Sequence, residues 1–106
     1  MPRFIFVYHG GAVPMAPEEA AAHKERYMEW LGQVGSALVS PANPMGPSKL
    51  VGADGVADTP AVDRLTGFSV VEVDDLDEAL RVARSCPFLE IGTLEVAQLL
   101  EMRPPA

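Results

Sequence analysis

Two histidines are the side chains of this sequence best suited to acid–base chemistry, because an imidazole changes its charge near neutral pH. His9 ends a short apolar run and precedes Gly10 and Gly11, which allow a ligand to approach the backbone closely. His23 lies in a glutamate-rich stretch that continues to Tyr27. We predict His9 as the first candidate for a general acid or base and His23 as the second. The alternatives are a histidine in a surface turn and a half-exposed helical histidine.

A general base also needs a partner group placed beside it in space. Three aspartates of one later region are candidate partners for His23, namely Asp54, Asp58 and Asp63. The spacing along the chain does not choose among them.

Three further side chains are predicted to bind a substrate. Asn43 and Lys49 lie in and just after a proline-rich segment, residues 41–47, and a stiff loop can hold an amide and an ammonium group against a carboxylate or phosphate. Trp30 is predicted to form a wall of the pocket. The alternatives are an ordinary turn asparagine, a solvated lysine and a core tryptophan.

No complete catalytic signature accompanies these candidates. Cys86 is predicted at the end of a helix, where the dipole opposes a thiolate, so we interpret it as a core residue. Two histidines fourteen residues apart, with no His/Cys cluster, do not form a metal-binding pattern, and no glycine-rich phosphate loop is present. We therefore predict neither a metal nor an organic cofactor.

Composition limits the partners and the compartment. The 106 residues are enough for one domain, residues 1–106, with one core. A formal net charge of −7 argues against nucleic acid and anionic membranes as partners, and no apolar run approaches the length of ~20 residues needed to span a bilayer. A single cysteine fits a reducing compartment, so we expect a cytoplasmic protein.

The first strand, residues 3–8, indicates how the molecule is layered. Phe4, Phe6 and Tyr8 alternate with Ile5 and Val7, so both faces of this strand are apolar and both need cover. We expect helices on one face. The other face is expected to be covered by the sheet of a second subunit, which gives a homodimer.

The remaining elements follow from caps, prolines and apolar spacing. A helix is predicted over 17–34 with Gly35 as its C-cap, and the proline-rich segment is predicted to lack regular structure. Asp75 and Glu78 form a capping-box pattern before a second helix, which Pro87 ends. The apolar stripe of that helix is predicted to be Leu76, Ala79, Leu80, Ala83 and Cys86. Strands are predicted over 37–40, 48–52, 66–73 and 93–102, the second helix over 76–86, a hairpin turn at 54–55, a loop over 58–65 and a frayed tail over 103–106.

This order of elements predicts an α+β, ferredoxin-like split βαβ fold with a short extra hairpin and both helices on one face of the sheet. Two such sheets packed face to face form a dimeric α+β barrel.

The sequence resembles the YCII-related family, and within it the DGPF-like branch. The matching segments, in order, are Phe6-Val7-Tyr8-His9-Gly10-Gly11, Trp30 to Gly35, Pro41-Ala42-Asn43-Pro44, Gly67-Phe68-Ser69-Val70-Val71-Glu72, Asp74-Asp75-Leu76-Asp77-Glu78-Ala79, Cys86-Pro87 and Glu95-Val96. They cover nearly the whole chain. The resemblance implies the ferredoxin-like fold and a dimer built sheet to sheet, but no particular reaction.

Two departures from the family pattern concern the site. The Asp-Gly-Pro-Phe motif is absent, and Asp58-Thr59-Pro60-Ala61 occupies roughly its region. In the wider family, a proposed active site uses a His–Asp pair whose histidine lies on the first helix. His23 lies on the corresponding helix, although the neighbouring motif matches poorly.

Two functions remain open from the sequence. One is a cofactor-independent enzyme for a small molecule, using histidine acid–base chemistry in a cleft of the dimeric barrel. The other is a non-catalytic module that binds a small molecule or a partner. A histidine in a concave pocket near a carboxylate would favour the enzyme.

Overall fold

The computed structural model describes residues 1–11 and 14–101, with the side chain of Val62 excepted. The strands are β1 (Arg3–Gly10), β2 (Leu38–Pro44), β3 (Lys49–Gly52), β4 (Gly55–Asp58), β5 (Leu65–Glu72) and β6 (Gly92–Leu99). The helices are α1 (Pro17–Val34) and α2 (Leu76–Arg84), and short 3₁₀ turns occupy Gly35–Ala37, Ala61–Asp63 and Pro87–Glu90. In this part of the chain, no helix is long and apolar enough to cross a membrane.

Four strands form one antiparallel sheet in the order β2-β5-β1-β6. With one helix after the first strand and one after β5, this is the split βαβ topology, and the predicted ferredoxin-like fold is confirmed. β3 and β4 pair only with each other and form the predicted extra hairpin, whose eight strand residues are all exposed.

The two faces of the sheet differ as the alternation in β1 predicts. Phe4, Phe6 and Tyr8 are buried on the helix side, whereas Ile5 and Val7 are only half-buried on the other side. The buried core consists of Phe4, Phe6, Tyr8, Trp30, Val71, Val73, Ala79, Val82, Ala83 and Cys86. Within the described residues, the second face thus presents the apolar side chains of β1 with no helix packed over them.

Helix α1 has the predicted bounds. Pro17 stands at its first turn, where the missing N–H costs nothing, and Glu18 and Glu19 lie at the positive end of the dipole. Gly35 caps the other end with φ of 61°, a left-handed conformation that glycine adopts without strain. The helix therefore presents its residues at a fixed register to the sheet.

The start of α2 is confirmed in part. The backbone N–H of Glu78 donates to Asp75 Oδ1 at 2.9 Å, so Asp75 is the N-cap. The reciprocal half of the capping box is wrong, because the Glu78 carboxylate pairs with Arg81 instead. The helix ends at Arg84, two residues before the predicted end.

The predicted stripe of α2 needs a correction. Leu76 and Leu80 are 49% and 41% exposed, and Val82 takes their place in the core. The buried residues Ala79, Val82, Ala83 and Cys86 follow the spacing i, i+3, i+4, i+7. Leu80 lies one residue, about 100° around the helix, from Ala79 and so faces away from the sheet.

The expectation that residues 41–47 lack regular structure is wrong for their first half, because β2 continues to Pro44. β2 is an edge strand that pairs only with β5, and its register shifts twice along the pairing. An edge strand tolerates a missing N–H on its unpaired side, which a central strand cannot. At the other end of the chain, β6 stops at Leu99 rather than 102, and the predicted frayed tail lies outside the described residues.

Candidate functional site

A cleft of about 360 Å³ opens on the helix side of the sheet. It lies between α1, the end of β2, the start of β5 and the turn Pro87–Glu90, and its lining is mostly apolar. The lining residues are Tyr8, His23, Lys24, Tyr27, Ala42, Asn43, Pro44, Thr66, Gly67, Phe88 and Ile91. Two of the predicted site residues, His23 and Asn43, therefore share one cavity.

The floor of the cleft is built around the ring of Tyr8. On the neighbouring strand Tyr8 is paired with Gly67, where a Cβ atom would lie 3.0 Å from the Asn43 carbonyl oxygen and 3.4 Å from the Tyr8 ring. The absence of a side chain at Gly67 thus lets β2 and Tyr8 come close together. Phe88 packs against Tyr8 with ring centroids 4.9 Å apart, and Tyr27 meets it edge-on at 6.0 Å.

A chain of hydroxyl groups leads from the cleft into the core. Tyr27 Oη lies 2.8 Å from Tyr8 Oη, which lies 2.6 Å from Ser69 Oγ, and Ser69 in turn donates to the carbonyl oxygen of Pro41. Because that carbonyl only accepts, each earlier hydroxyl must donate inward, Tyr27 to Tyr8 and Tyr8 to Ser69. The Tyr27 hydroxyl therefore offers the cleft an acceptor oxygen.

Tyr8 is held neutral. Burial is the main cause that raises the pKa of Tyr8 far above its ordinary range, and the hydrogen bond to Ser69 opposes this only in part. Tyr8 is consequently a fixed hydrogen-bonding group rather than a base.

His23 stands one helical turn before Tyr27 and separates the cleft from a second cavity of about 390 Å³. Nδ1 of His23 lies 3.5 Å from Glu90 Oε2, which is within ion-pair range. The alignment is not that of a hydrogen bond, so this buried nitrogen has no hydrogen-bond partner among the described residues. Arg26 Nη2 donates to the same Glu90 oxygen at 2.7 Å and is the main cause that lowers the pKa of Glu90.

Asn43 reaches the cleft from the edge strand β2. Its Nδ2 donates to Ser40 Oγ at 2.8 Å and to the Phe68 carbonyl oxygen at 3.1 Å. Both amide hydrogens are thereby committed to the protein. The oxygen Oδ1 is the polar atom of this side chain that is left for a ligand.

His9, the first candidate from the sequence, lies on the opposite face of the sheet and does not line the cleft. Nε2 of His9 is 2.9 Å from Glu95 Oε1, and Nδ1 is 3.2 Å from the Asp63 carbonyl oxygen. Since both ring nitrogens face acceptors, the imidazolium form donates to both. An acid–base role for His9 stays a prediction, and any such role belongs to the open face.

The remaining candidates lie apart from the cleft lining. Lys49 pairs with Asp58 within the β3–β4 hairpin. Trp30 is 2% exposed, and its Nε1 donates to Ser85 Oγ at 2.9 Å, which ties α1 to the end of α2. Substrate contacts by Lys49 and Trp30 stay predictions. Cys86 is buried, and burial raises its pKa to about 11, in keeping with a core residue.

Sequence reasoning missed Glu90 as the carboxylate beside His23 and missed Tyr8 and Ser69 as site residues. The spacing of His23 and Tyr27 on one helix face was a usable signal for a shared site. No local pattern marked Glu90, which lies in a 3₁₀ turn far along the chain. Among the described residues, no group of three or more His, Cys, Asp or Glu side chains is arranged to hold a metal ion.

Comparison with known proteins identifies the family of this chain and a solved structure with a similar fold. The sequence matches the model of the YCII-related domain over residues 1–103, and no curated protein matches it. Its fold is similar to that of 5-chloro-2-hydroxyhydroquinone dehydrochlorinase (TftG) from Burkholderia phenoliruptrix AC1100, solved as a complex with 2,5-dihydroxybenzoquinone. That similarity has a TM-score of 0.57 at 14% sequence identity, and it covers 94% of this chain and 95% of the other. At this identity the structural likeness concerns the fold alone. Because the family match spans residues 1–103 of 106, the chain belongs to the YCII-related family.

Proposed function

We propose that this protein is an enzyme that transfers a proton to or from a small hydroxylated aromatic or quinone-like molecule, with His23 as the general acid or base. The observation that carries the proposal is the position of His23 in an apolar cleft beside the Tyr27–Tyr8–Ser69 hydroxyl chain. An imidazole next to an apolar binding space can exchange a proton with a bound molecule while water is largely displaced.

The walls of the cleft favour a planar ring. Three aromatic side chains line the cleft, and Tyr27 and Phe88 each pack against Tyr8. The volume of about 360 Å³ is near the lower end of small-molecule sites, which fits a single ring better than a large ligand.

The polar groups of the cleft favour a ligand with hydroxyl donors. The acceptor oxygen of Tyr27 and the uncommitted Oδ1 of Asn43 both accept hydrogen bonds. Lys24 also lines the cleft and would favour an anionic, deprotonated form of the ring. The structurally similar dehydrochlorinase was solved with 2,5-dihydroxybenzoquinone, a ring that carries two hydroxyl groups, and this supports the same class of ligand.

In the proposed reaction, the ring lies between the aromatic walls and one hydroxyl group faces His23. The imidazole takes the hydroxyl proton and becomes an imidazolium, and the ring oxygen is left as an anion. The electron pair on that oxygen then forms a carbonyl group while a ring carbon takes the proton back from the imidazolium, which gives a keto tautomer. Where that carbon bears a halogen, the halide leaves with its bonding pair as the second hydroxyl group loses its proton, so that a halogenated hydroquinone yields a quinone, a halide ion and a proton.

The test uses 2,5-dihydroxybenzoquinone as the probe, followed by its visible absorbance and by thermal shift. His23→Gln and Tyr27→Phe should each weaken binding, and His23→Gln should also abolish turnover of halogenated hydroquinones. His9→Gln is the matched control, because His9 lies on the other face of the sheet. Equal binding and turnover in His23→Gln and the wild-type protein would refute the proposal. Binding that depends on the cleft, without turnover of any ring tested, would indicate the non-catalytic binding module instead.

We also propose that the protein is a homodimer, packed through the face of the sheet that bears no helix. Ile5 is paired with Val70, and Val7 with Phe68, on adjacent strands, and all four side chains are half-buried on that face. A contiguous apolar patch of this kind is more stable when covered. The His9–Glu95 and Arg3–Glu72 pairs lie beside it and would then be near the interface.

A further inference from the structure

His23 separates two cavities of different chemistry. On one side is the apolar cleft, and on the other is a cavity whose lining includes Glu19, Arg26 and Glu90. A side chain at this position can accept a proton from an apolar space and have the resulting charge stabilised from a polar one. The proposed function uses only the apolar cleft and assigns no role to the charged residues of the second cavity.

The carboxylate nearest to His23 is held by a third residue. Arg26 Nη2 donates to Glu90 Oε2 at 2.7 Å, and the same oxygen lies 3.5 Å from His23 Nδ1. Arg26 and Glu90 are 64 residues apart in the chain, so the pair fixes the turn Pro87–Glu90 against α1. Arg26 also keeps the Glu90 carboxyl group ionised, since it lowers the pKa of Glu90.

The second observation concerns the hydrogen bonding of the His23 imidazole. Nδ1 of His23 is buried and makes no hydrogen bond within the described part of the chain. A buried polar nitrogen without a partner is costly, and a small closing of the gap to Glu90 would satisfy it. That bond requires the proton to be on Nδ1, because an ionised carboxylate only accepts.

We propose that Glu90, held by Arg26, is a positioning residue that keeps the proton on Nδ1 of His23, so that Nε2 is the nitrogen available as the base. The proposal rests on the proposed function of the cleft. When Nε2 takes a proton from a hydroxyl group of the ligand, both nitrogens of the imidazolium carry a proton, and Nδ1–H can donate to Glu90 once the gap of 3.5 Å between them closes. The Glu90 carboxylate then stabilises the positive charge that forms on the imidazole, and the ligand is left as an anion.

The experiment uses nitrogen-15 NMR of the histidine side chains in the ligand-free protein at mildly alkaline pH, and it reads directly which imidazole nitrogen carries the proton. The wild-type protein should show His23 with a protonated Nδ1 and an unprotonated Nε2. Glu90→Ala should change the ratio of the two tautomers toward Nε2–H by on the order of tenfold, the factor expected for one hydrogen bond to a charged group. Glu90→Gln, which keeps an acceptor oxygen, should restore part of this ratio.

Glu19→Ala is the matched control, because Glu19 is a second carboxylate in the same cavity. Arg26→Gln should change the tautomer ratio in the same direction as Glu90→Ala by a smaller factor, since Glu90 is then free to turn away. A wild-type His23 that is protonated on Nε2, or a ratio that Glu90→Ala leaves unchanged, would overturn the proposal. The readout needs no ligand, so a failure of 2,5-dihydroxybenzoquinone to bind would refute the proposed function without deciding the role of Glu90.

Discussion

Tyr8 Oη and Ser69 Oγ lie 2.6 Å apart on neighbouring strands, and Ser69 is fully buried. The bond joins the floor of the cleft to the core, so a change made in the core is transmitted to the Tyr8 ring.

We expect Ser69→Ala to lower the free energy of unfolding by about 1–3 kcal/mol, because it removes the acceptor for the Tyr8 hydroxyl hydrogen and the hydroxyl donor to the Pro41 carbonyl oxygen. Urea unfolding followed by tryptophan fluorescence measures this. The control is Ser36→Ala, at an exposed serine, which should change stability by no more than about 0.5 kcal/mol. Equal values for the two variants would contradict the hydroxyl chain.

The N-cap of α2 gives a second prediction. Asp75→Ala removes the acceptor for the Glu78 N–H and should cost about 1 kcal/mol of stability. Asp74→Ala, one residue earlier and outside the cap, serves as the control. Chemical denaturation measures the free energy of unfolding of both variants, and a larger loss in Asp74→Ala would show that Asp75 is not the N-cap.

Gly92 is expected to tolerate no side chain. A Cβ atom there would clash with the carbonyl oxygen of His9 and with the ring of Phe88, whereas one at Gly52 would meet nothing within 4 Å. Gly92→Ala should therefore destabilise the protein by about 1–3 kcal/mol, and Gly52→Ala by much less. Since Phe88 lines the cleft, binding of 2,5-dihydroxybenzoquinone, measured by thermal shift, should weaken in Gly92→Ala but not in Gly52→Ala.

Cys86 should make stability depend on pH in the alkaline range. Burial raises the pKa of this thiol to about 11, whereas in an unfolded chain its pKa is about 8.5. Between these values the folded state keeps a proton that the unfolded state has lost, so stability falls as the pH rises. From about pH 8 to pH 10, the free energy of unfolding of Cys86→Ala should fall less than that of the wild-type protein, by on the order of 2 kcal/mol. Parallel stability curves for the two proteins would show that the thiol is accessible to solvent.

The proposed dimer can be tested by placing a charged side chain on the face of the sheet that bears no helix. Val70→Lys places an ammonium group in the patch that includes Ile5 and Phe68, and it should convert the proposed dimer to a monomer in light scattering. Val51→Lys is the matched control, because Val51 is also a strand valine but is 78% exposed on the hairpin. A wild-type protein that is already monomeric would rule out the dimer.

The fold could be predicted because its signals are local. The alternation in β1, Pro17 and Gly35 at the ends of α1, and the Asp75 cap each depend on residues within one turn or one strand. The first part of β2 was predicted, but its continuation from Pro41 to Pro44 was not, since only its edge position in the sheet makes its prolines acceptable. The narrower assignment to the DGPF-like branch stays a prediction.

The site could be predicted only in part, because it is made by contacts between distant segments. His23 and Asn43 were found by residue type, and the cleft brings them together. Tyr8 and Ser69 are 61 residues apart and look like ordinary strand residues, so their bond follows only from the register of β1 and β5. His9 ranked first because two glycines follow it, and those glycines belong to the end of β1 and the chain after it rather than to the cleft.

The β3–β4 hairpin has a practical consequence for anyone who labels this protein. Its strand residues are all exposed and pair with each other, and two connecting segments, residues 45–48 and 59–64, join it to strands of the four-stranded sheet. Its tip at Ala53 and Asp54 is thus a natural point for inserting an epitope tag or a fluorophore without disturbing the core or the cleft. A probe there would lie outside the lining of the cleft.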